Sequence, residues 1–368
     1  MDKGARVMAV GLMSGTSLDA IDAALIETDG VGHVRPIAFH ATEWSDADRA
    51  LLMAATERAL AMAAPAQDPV IAEAEARLGA AHAEAVAQVL AVAGVTPEDV
   101  SVIGFHGQTI AHRPDRGWTW QLGDGAALAL ACGIDVVSDF RSADVAAGGQ
   151  GAPLLPIYHA ALTAGMDGPL AVLNLGGVAN VTFIDGDMLI AFDTGPANGL
   201  IDSWVEQERG LRFDPDGALA AAGRVDDAVL TAMLDHPFFE LPAPKSLDRN
   251  DFTIQPARGL STEDGAATLT AFTAQTVEEG LRILPRRPRR LIVAGGGRRN
   301  PTLMRMIGER TNMTVESADA LGWNGDSIEA EGFAYMAVRV GRGLPISFPG
   351  TTGAPAAMTG GVVHKAGR

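Results

Sequence analysis

The sequence predicts an α/β chain of two domains with a cleft between them. Three observations carry this. The chain has 368 residues, enough for two sizeable cores. Apolar strands alternate along it with helical stretches, as in α/β proteins. Each half also opens on an apolar strand that runs into a glycine turn, at Gly15 and at Gly176, as a duplicated phosphate-gripping domain would.

The first strand, from Val7, enters Ser14-Gly15-Thr16-Ser17, and a second apolar stretch leaves toward Ile26. This is a β-hairpin with a polar turn. Small residues let a phosphate approach the backbone there, and Thr16 and Ser17 add hydroxyl donors. Asp19 and Asp22 are oxygen ligands suited to a hydrated Mg²⁺. In an ordinary buried hairpin, two such acids would be costly without partners.

Ser45 is positioned to cap a helix from Asp46 to about Met62, and Val70 to Val92 reads as a second, alanine-rich helix. Val100 to Phe105 is a strand, so His106-Gly107-Gln108-Thr109 stands at a strand end and His112 in the loop beyond. Neither histidine has a usual zinc spacing, which favours hydrogen bonding. Trp118 and Trp120 alternate as on a strand, and core packing is expected of at least one of them. In Asp139–Pro153, the run Gly148-Gly149-Gln150-Gly151 is too flexible for an element interior. Asp139 and Arg141 flank an aromatic and suit a sugar's hydroxyl, acetamido or carboxylate groups; an internal ion pair is the other reading.

Leu170–Leu175 meets Gly176-Gly177, and Val178–Ile184 leaves that turn. Asp193 then closes an apolar strand in Phe192-Asp193-Thr194-Gly195-Pro196-Ala197-Asn198. This leaves a carboxylate exposed at a strand tip, as a catalytic base beside a phosphate-binding turn needs; an aspartate that merely starts a turn gives it too. Arg290–Ala294 enters Gly295-Gly296-Gly297, and Pro301 starts a helix after Asn300. The glycine spacing is not the dinucleotide fingerprint and suits a ribose or adenine against bare backbone. Arg286–Arg290 is the only basic cluster and reads as a solvated loop. Asp326 or Ser327 is positioned to cap a helix to Ala337 with Glu329 near its start. Leu344–Arg368, rich in Gly, Pro and Thr, reads as a surface tail. Three strand-glycine turns and Asp193 together point to a nucleotide phosphate site.

Composition agrees with a soluble enzyme. Apolar residues make up 47% and the formal net charge is −17. That charge argues against nucleic acid and anionic membrane surfaces as partners. The one cysteine, Cys132, excludes an internal disulfide and fits a reducing cytoplasm. No signal peptide is readable, and no apolar run reaches membrane-spanning length.

The blocks Gly11–Asp19, Phe105–Thr109, Asp139–Arg141, Gly148–Pro153, Asn174–Asn180 and Phe192–Pro196 resemble, in order, the anhydro-N-acetylmuramic acid kinase family. The resemblance runs from Gly11 to about Val340. It implies two actin-like sugar-kinase domains, with the C-terminal segment returning to the first: 1–135 plus about 341–368, then 136–340. Ala20 stands where the family usually has glycine. Pro244-Lys245-Ser246-Leu247-Asp248-Arg249-Asn250 changes the middle and end of the family's Pro-Lys-Ser-Thr-Gly-Arg-Glu block.

The implied activity takes 1,6-anhydro-N-acetylmuramic acid, an amino sugar from peptidoglycan turnover, with ATP and water. It yields N-acetylmuramic acid 6-phosphate and ADP. Asp193 is the implied base, activating water for attack at C1. The nucleotide set is Gly15, Thr16, Ser17, Leu18, Asp19, Ala20, Ile21, Asp22, Asn174, Gly176, Gly177, Gly295, Gly296, Gly297 and Asn300. Mg²⁺ is expected at Asp19 and Asp22, directly or through water. The sugar set is His106, Gln108, Asp139, Arg141, Gly149, Gln150 and Glu329, the last from the acid before an Ala-x-x-Phe-Ala pattern. A second copy of the chain as partner is left open. An ordinary hexose or N-acetylhexosamine kinase and an ATP-switched binding protein are the alternatives; a chaperone would need a peptide-binding domain after the ATPase.

Overall fold

A computed structural model describes residues 4–247 and 251–367. Asp248, Arg249 and Asn250, the end of the Pro244–Asn250 block, lie outside the described residues. Among the described residues the strands are β1 (Val7–Ser14), β2 (Ala20–Thr28), β3 (Val34–Glu43), β4 (Val100–Arg113), β5 (Trp118–Leu122), β6 (Val136–Ser138), β7 (Leu170–Leu175), β8 (Val178–Asp185), β9 (Met188–Pro196), β10 (Arg290–Ala294), β11 (Val315–Ser317) and β12 (Val362–His364). They belong to two compact units, Met1–Ala164 with Ser327–Arg368, and Gly165–Asp326.

The first unit's sheet runs β12-β6-β4-β1-β2-β3, with β5 paired to β4; the second's runs β11-β10-β7-β8-β9. In each, an antiparallel meander (β1-β2-β3 or β7-β8-β9) is joined through its first strand to a parallel strand, β4 or β10. A further parallel strand follows, β6 or β11. The same strand order thus occurs twice, the duplicated α/β architecture expected of an actin-like chain.

The units divide at 164/165 and 326/327, not at 135/136 and 340/341 as expected. The reason is packing. β6 pairs with β4, and the helix Ile328–Gly341 lies on β1 and β4. At Gly11 and Gly104 a Cβ would stand 1.8 Å from the Ala330 carbonyl oxygen and 2.0 Å from that of Phe333. Helix backbone rests directly on strand backbone, which only glycine permits. On the sheet's other face the helices Asp46–Leu60 and Pro69–Ala93 bury Leu52, Ala55, Ile71 and Leu78 against Val10, Leu12, Ile21 and Leu25. Covered on both faces, these strands read as nearly continuous apolar runs. Trp118 and Trp120 pack, partly buried, against this core.

Several local readings are met and several are corrected. Ser45 caps its helix, its Oγ accepting the Asp48 N–H at 3.1 Å. Pro301 opens the helix Pro301–Thr311. β4, however, continues to Arg113 because β5 pairs with it, so His106 is mid-strand and His112 is not in a loop. The helix Ile328–Gly341 has no side-chain cap: Ser327 donates its hydroxyl to Glu331 Oε1 at 2.5 Å, and Asp326 pairs with Arg298 and Arg299. Leu344–Arg368 is no mere tail, since β12 extends the first sheet and Thr351 and Thr352 are buried. No helix among the described residues is long and apolar enough to cross a membrane.

In the second unit, β7 to β10 pack Leu173, Val181, Phe192 and Val293 against Val277 and Leu281 of the helix Thr262–Arg282 and Leu303 of the helix Pro301–Thr311. A satellite cluster, including Trp204, Phe238, Phe252 and Phe272, lies beside the helix Asn198–Arg209.

Candidate active site

In the first unit the β1–β2 hairpin turns through Gly15-Thr16-Ser17-Leu18. The Leu18 N–H donates to the Gly15 carbonyl at 3.1 Å. Leu18 has φ 55°, a left-handed conformation that a branched residue adopts only under constraint; its side chain is buried in the core. Thr16, Ser17 and Asp19 are exposed. Gln108 lies beneath the turn. Its Oε1 accepts the Ser14 hydroxyl at 2.6 Å, and its Nε2 donates to the Gly15 carbonyl at 3.3 Å. Gln108, one of the residues expected at the sugar, is 1% exposed, with its amide engaged by the hairpin.

A second polar cluster forms in the same unit. Arg141 donates Nε–H and Nη2–H to His106 Nε2 at 3.1 and 3.0 Å, and Nη1–H to the Gly151 carbonyl at 2.7 Å. His106 therefore carries its proton on Nδ1, donated to the Gly107 carbonyl at 2.7 Å. Burial and then the Arg141 charge hold its pKa well below the usual histidine range, so the ring is neutral. Burial also lowers Arg141 to about 10, while the charges of Glu329 and Asp144 oppose that fall. Glu329 thus lies within electrostatic reach of Arg141.

Asp144, unremarked in the sequence, organises the Gly148–Gly151 loop. Its Oδ1 accepts the Gly151 N–H at 2.7 Å, and its Oδ2 accepts the hydroxyls of Ser347 and Thr352 at 2.5 and 2.6 Å. At Gly149 a Cβ would stand 2.2 Å from Asp144 Oδ1. Gln150 donates its N–H to the Thr352 carbonyl at 2.6 Å. Asp139 sits in the left-handed region at φ 53° and accepts a long hydrogen bond from the Ser142 N–H.

In the second unit three turns converge. The Gly177 carbonyl accepts the N–H of Ala197 and Gly199, and the Gly176 carbonyl accepts that of Asn198. Asn198 Nδ2 donates to the Leu175 carbonyl at 3.1 Å. The Gly295 turn closes on the same group. A Cβ on Gly295 would stand 2.5 Å from Asn174 Oδ1, and one on Gly297 2.6 Å from Leu175 Cβ. Nothing lies within 4 Å of a Cβ at Gly177. Asn174, Gly176, Gly177 and Gly295 to Gly297 are thereby brought together. Asn300 serves locally: its Oδ1 caps the next helix by accepting the Leu303 N–H at 2.9 Å.

Asp193 is not an exposed strand tip. β9 continues to Pro196, and the register shifts between the pairs Ala179–Gly195 and Asn180–Asp193. Such bulges re-aim side chains beside functional sites. The carboxylate is part-buried; its Oδ2 accepts the Leu247 N–H at 2.8 Å. Burial nevertheless pushes its pKa up to about 7, against the lowering effect of that hydrogen bond. A carboxyl poised there is suited to general-base work near neutral pH.

The donor set for a metal is sparse. No group of three or more His, Cys, Asp or Glu among the described residues forms a cage. Asp19, just before β2, and Asp22, within it, suit an ion that keeps most of its waters and takes its other ligands from phosphate, as Mg²⁺ does.

A family model described as anhydro-N-acetylmuramic acid kinase matches residues 7–366. A Rhizorhabdus wittichii protein of that name is 67% identical over 98% of this chain and 99% of its own length. One from Zymomonas mobilis is 55% identical over 97% of this chain and its full length. Among solved structures, component A of the Acidaminococcus fermentans (R)-2-hydroxyglutaryl-CoA dehydratase is similar at TM-score 0.48 and 12% identity, covering 90% of this chain and 98% of that one. The chain belongs to the anhydro-N-acetylmuramic acid kinase family.

Proposed function

We propose that this protein uses ATP and water to convert 1,6-anhydro-N-acetylmuramic acid into N-acetylmuramic acid 6-phosphate and ADP, a step of peptidoglycan recycling. The observation that carries this reading is Asp193: a part-buried carboxyl raised to about 7 beside converging glycine turns. The names and full-length identity of the relatives support the substrate.

The substrate's bridge joins C1 to O6, so no free 6-hydroxyl exists. Asp193 takes a proton from water as the water oxygen bonds to C1. The C1–O6 pair returns to O6, which attacks the γ-phosphorus and displaces ADP. The proton leaves from Asp193 to solvent. In the first unit Thr16, Ser17 and the bare backbone of the Gly15 turn are suited to phosphate oxygens; in the second the Gly176 and Gly295 turns offer bare backbone to phosphate and nucleoside. Asp19 or Asp22 would hold Mg²⁺, which when bound neutralises charge on the β- and γ-phosphate oxygens. Three of the five Arg141 N–H groups are engaged within the protein; the other two are a fork for the lactyl carboxylate. His106, Asp139, Gly149, Gln150 and Glu329 complete the sugar set in this reading. In this reading the protein works in a reducing cytoplasm, in keeping with a chain whose one cysteine, Cys132, has no partner thiol within it for a disulfide.

The test is ADP release with anhydro-N-acetylmuramic acid, N-acetylmuramic acid, N-acetylglucosamine and glucose in parallel. Only the anhydro sugar is expected to drive fast release. Run in oxygen-18 water and sampled early, before the anomeric centre exchanges, the product should carry label at C1 and none at O6. Equal turnover of glucose or N-acetylglucosamine would make this an ordinary sugar kinase, with Asp193 acting on a sugar hydroxyl.

A further inference from the structure

The hairpin turn of the first unit is held from beneath at both of its ends. Ser14 and Gln108 are register neighbours on the parallel strands β1 and β4. Gln108 Oε1 accepts the Ser14 hydroxyl at 2.6 Å, and the same Ser14 oxygen accepts the Trp44 indole N–H at 3.1 Å. The Gly15 carbonyl accepts two donors, Gln108 Nε2 at 3.3 Å and the Leu18 N–H at 3.1 Å. At the far end the Trp44 backbone N–H donates to the Asp19 carbonyl at 3.3 Å. Trp44 is buried, with the His82 ring 6.0 Å away. Above this clamp stands Leu18 with its left-handed φ of 55°.

A strained backbone persists only where its surroundings over-determine it, and such places are characteristically pre-organised for a ligand. Here the Ser14 hydroxyl and the Gly15 and Asp19 carbonyls are bonded from beneath while Thr16 and Ser17 remain exposed. An amide 1% exposed with both ends engaged is poorly placed to be a sugar ligand.

We propose that Gln108 is a positioning residue for nucleotide use: with Ser14 and Trp44 it fixes the Gly15–Asp19 turn in its phosphate-receiving shape and touches no sugar. This rests on the reading of that turn as a phosphate site. Removing the clamp frees the turn to relax, so phosphate binding must then reorder it. The penalty falls on nucleotide affinity and leaves the sugar's contacts intact.

The experiment uses the full chain with Gln108→Met, which keeps the length of the side chain, Ser14→Ala, and the double variant. Calorimetry gives the affinity for Mg-ADP without sugar; ADP release gives KM for ATP and for the anhydro sugar. Each single variant should weaken Mg-ADP binding and raise the ATP KM roughly tenfold, the scale of one lost hydrogen bond of about 1.4 kcal/mol. The sugar KM should stay within about twofold. The double variant should be little worse than either single one, because both remove the same clamp. If Gln108→Met does not fold, Gln108→Glu keeps the acceptor for Ser14, loses the donor to Gly15, and should show the same split. A raised sugar KM with unchanged Mg-ADP affinity would make Gln108 a sugar ligand and overturn the proposal, as would folded variants unchanged in both. If the unaltered protein binds no Mg-ADP, the phosphate reading itself fails, and the proposal with it.

Discussion

Leu247 donates its N–H to Asp193 Oδ2 at 2.8 Å, and Asp193 donates its own N–H back to the Lys245 carbonyl at 2.9 Å. The Lys245–Leu247 strap is anchored by the buried Lys245 ammonium, which donates to the Phe238 carbonyl at 3.0 Å and lies 4.5 Å from that ring's centre. One carboxyl is thus under two opposed influences. The strap stabilises the ionised form, burial opposes it, and burial prevails.

Activity should therefore follow the ionised fraction of Asp193. Below its pKa of about 7, kcat/KM should fall roughly tenfold per pH unit, because a protonated carboxyl takes no proton from water. Asp193→Asn should keep the fold and lose about 10²–10⁴ in rate. A pH profile of ADP release between pH 5.5 and 8.5 checks this. A flat profile, or an active Asn variant, would leave Asp193 as a turn residue.

The same shift has a consequence for stability. The folded pKa, about 7, stands above the ordinary 3.8, so the folded chain holds a proton that the unfolded chain releases between about pH 4 and 7. The stabilisation is full below pH 4 and is lost as pH rises through 7. Asn mimics the protonated group at every pH. Asp193→Asn should match the unaltered protein near pH 4 and exceed it at pH 8 by on the order of 1–2 kcal/mol, the part exposure of the group being allowed for. Thermal melts at both pH values decide it; a variant less stable at pH 8 would contradict the raised pKa.

What could be read from the sequence follows from how local each feature is. The three glycine turns, the cap at Ser45 and the helix start at Pro301 are set by a few adjacent residues, and they stand where expected. The bonding of Gln108 and Asp144 is not legible in the sequence because their partners are distant along the chain: Ser14 for one, Ser347 and Thr352 for the other. β4 reads as short because the run after Phe105 is polar, and only its pairing with β5 holds that run in strand conformation. The boundary near residue 164 is not legible in the sequence because β6 is only three residues long, and its place is fixed by pairing with β4 and β12 rather than by composition.

Gly11 and Gly15, four residues apart, should fail in different ways. A Cβ at Gly11 would stand 1.8 Å from the Ala330 carbonyl oxygen and 2.5 Å from the Ala334 nitrogen, both backbone atoms. Gly11→Ala must push the helix Ile328–Gly341 off the sheet, a loss of roughly 3 kcal/mol or more. At Gly15 the nearest atom is the Ser17 hydroxyl, at an ordinary 3.5 Å. Gly15→Ala should melt within a few degrees of the unaltered protein yet raise the ATP KM, because the added methyl stands where phosphate approaches backbone. Urea unfolding and ATP titration separate the two. Normal ATP use by Gly15→Ala would remove that approach.

Asp144 gives the corresponding test for the sugar loop. Its carboxylate is buried and accepts three hydrogen bonds, from the Gly151 N–H and the Ser347 and Thr352 hydroxyls. The hydroxyls can rotate to other partners; the Gly151 N–H is fixed in the chain. Asp144→Ala leaves that donor buried and opens space where Gly149 packs against the carboxylate. The expected loss is about 3 kcal/mol. Asp144→Asn keeps an acceptor for Gly151, and its amide can donate to a hydroxyl turned to receive it, so a loss of about 1 kcal/mol is expected. Both should raise the sugar KM, Ala more than Asn, and leave the ATP KM unchanged, because the loop they loosen carries Gly149 and Gln150. Urea unfolding ranks the stabilities, and paired titrations give the two KM values. If the ATP KM rises while the sugar KM holds, the Gly148–Gly151 loop serves the nucleotide, and Gly149 and Gln150 leave the sugar set.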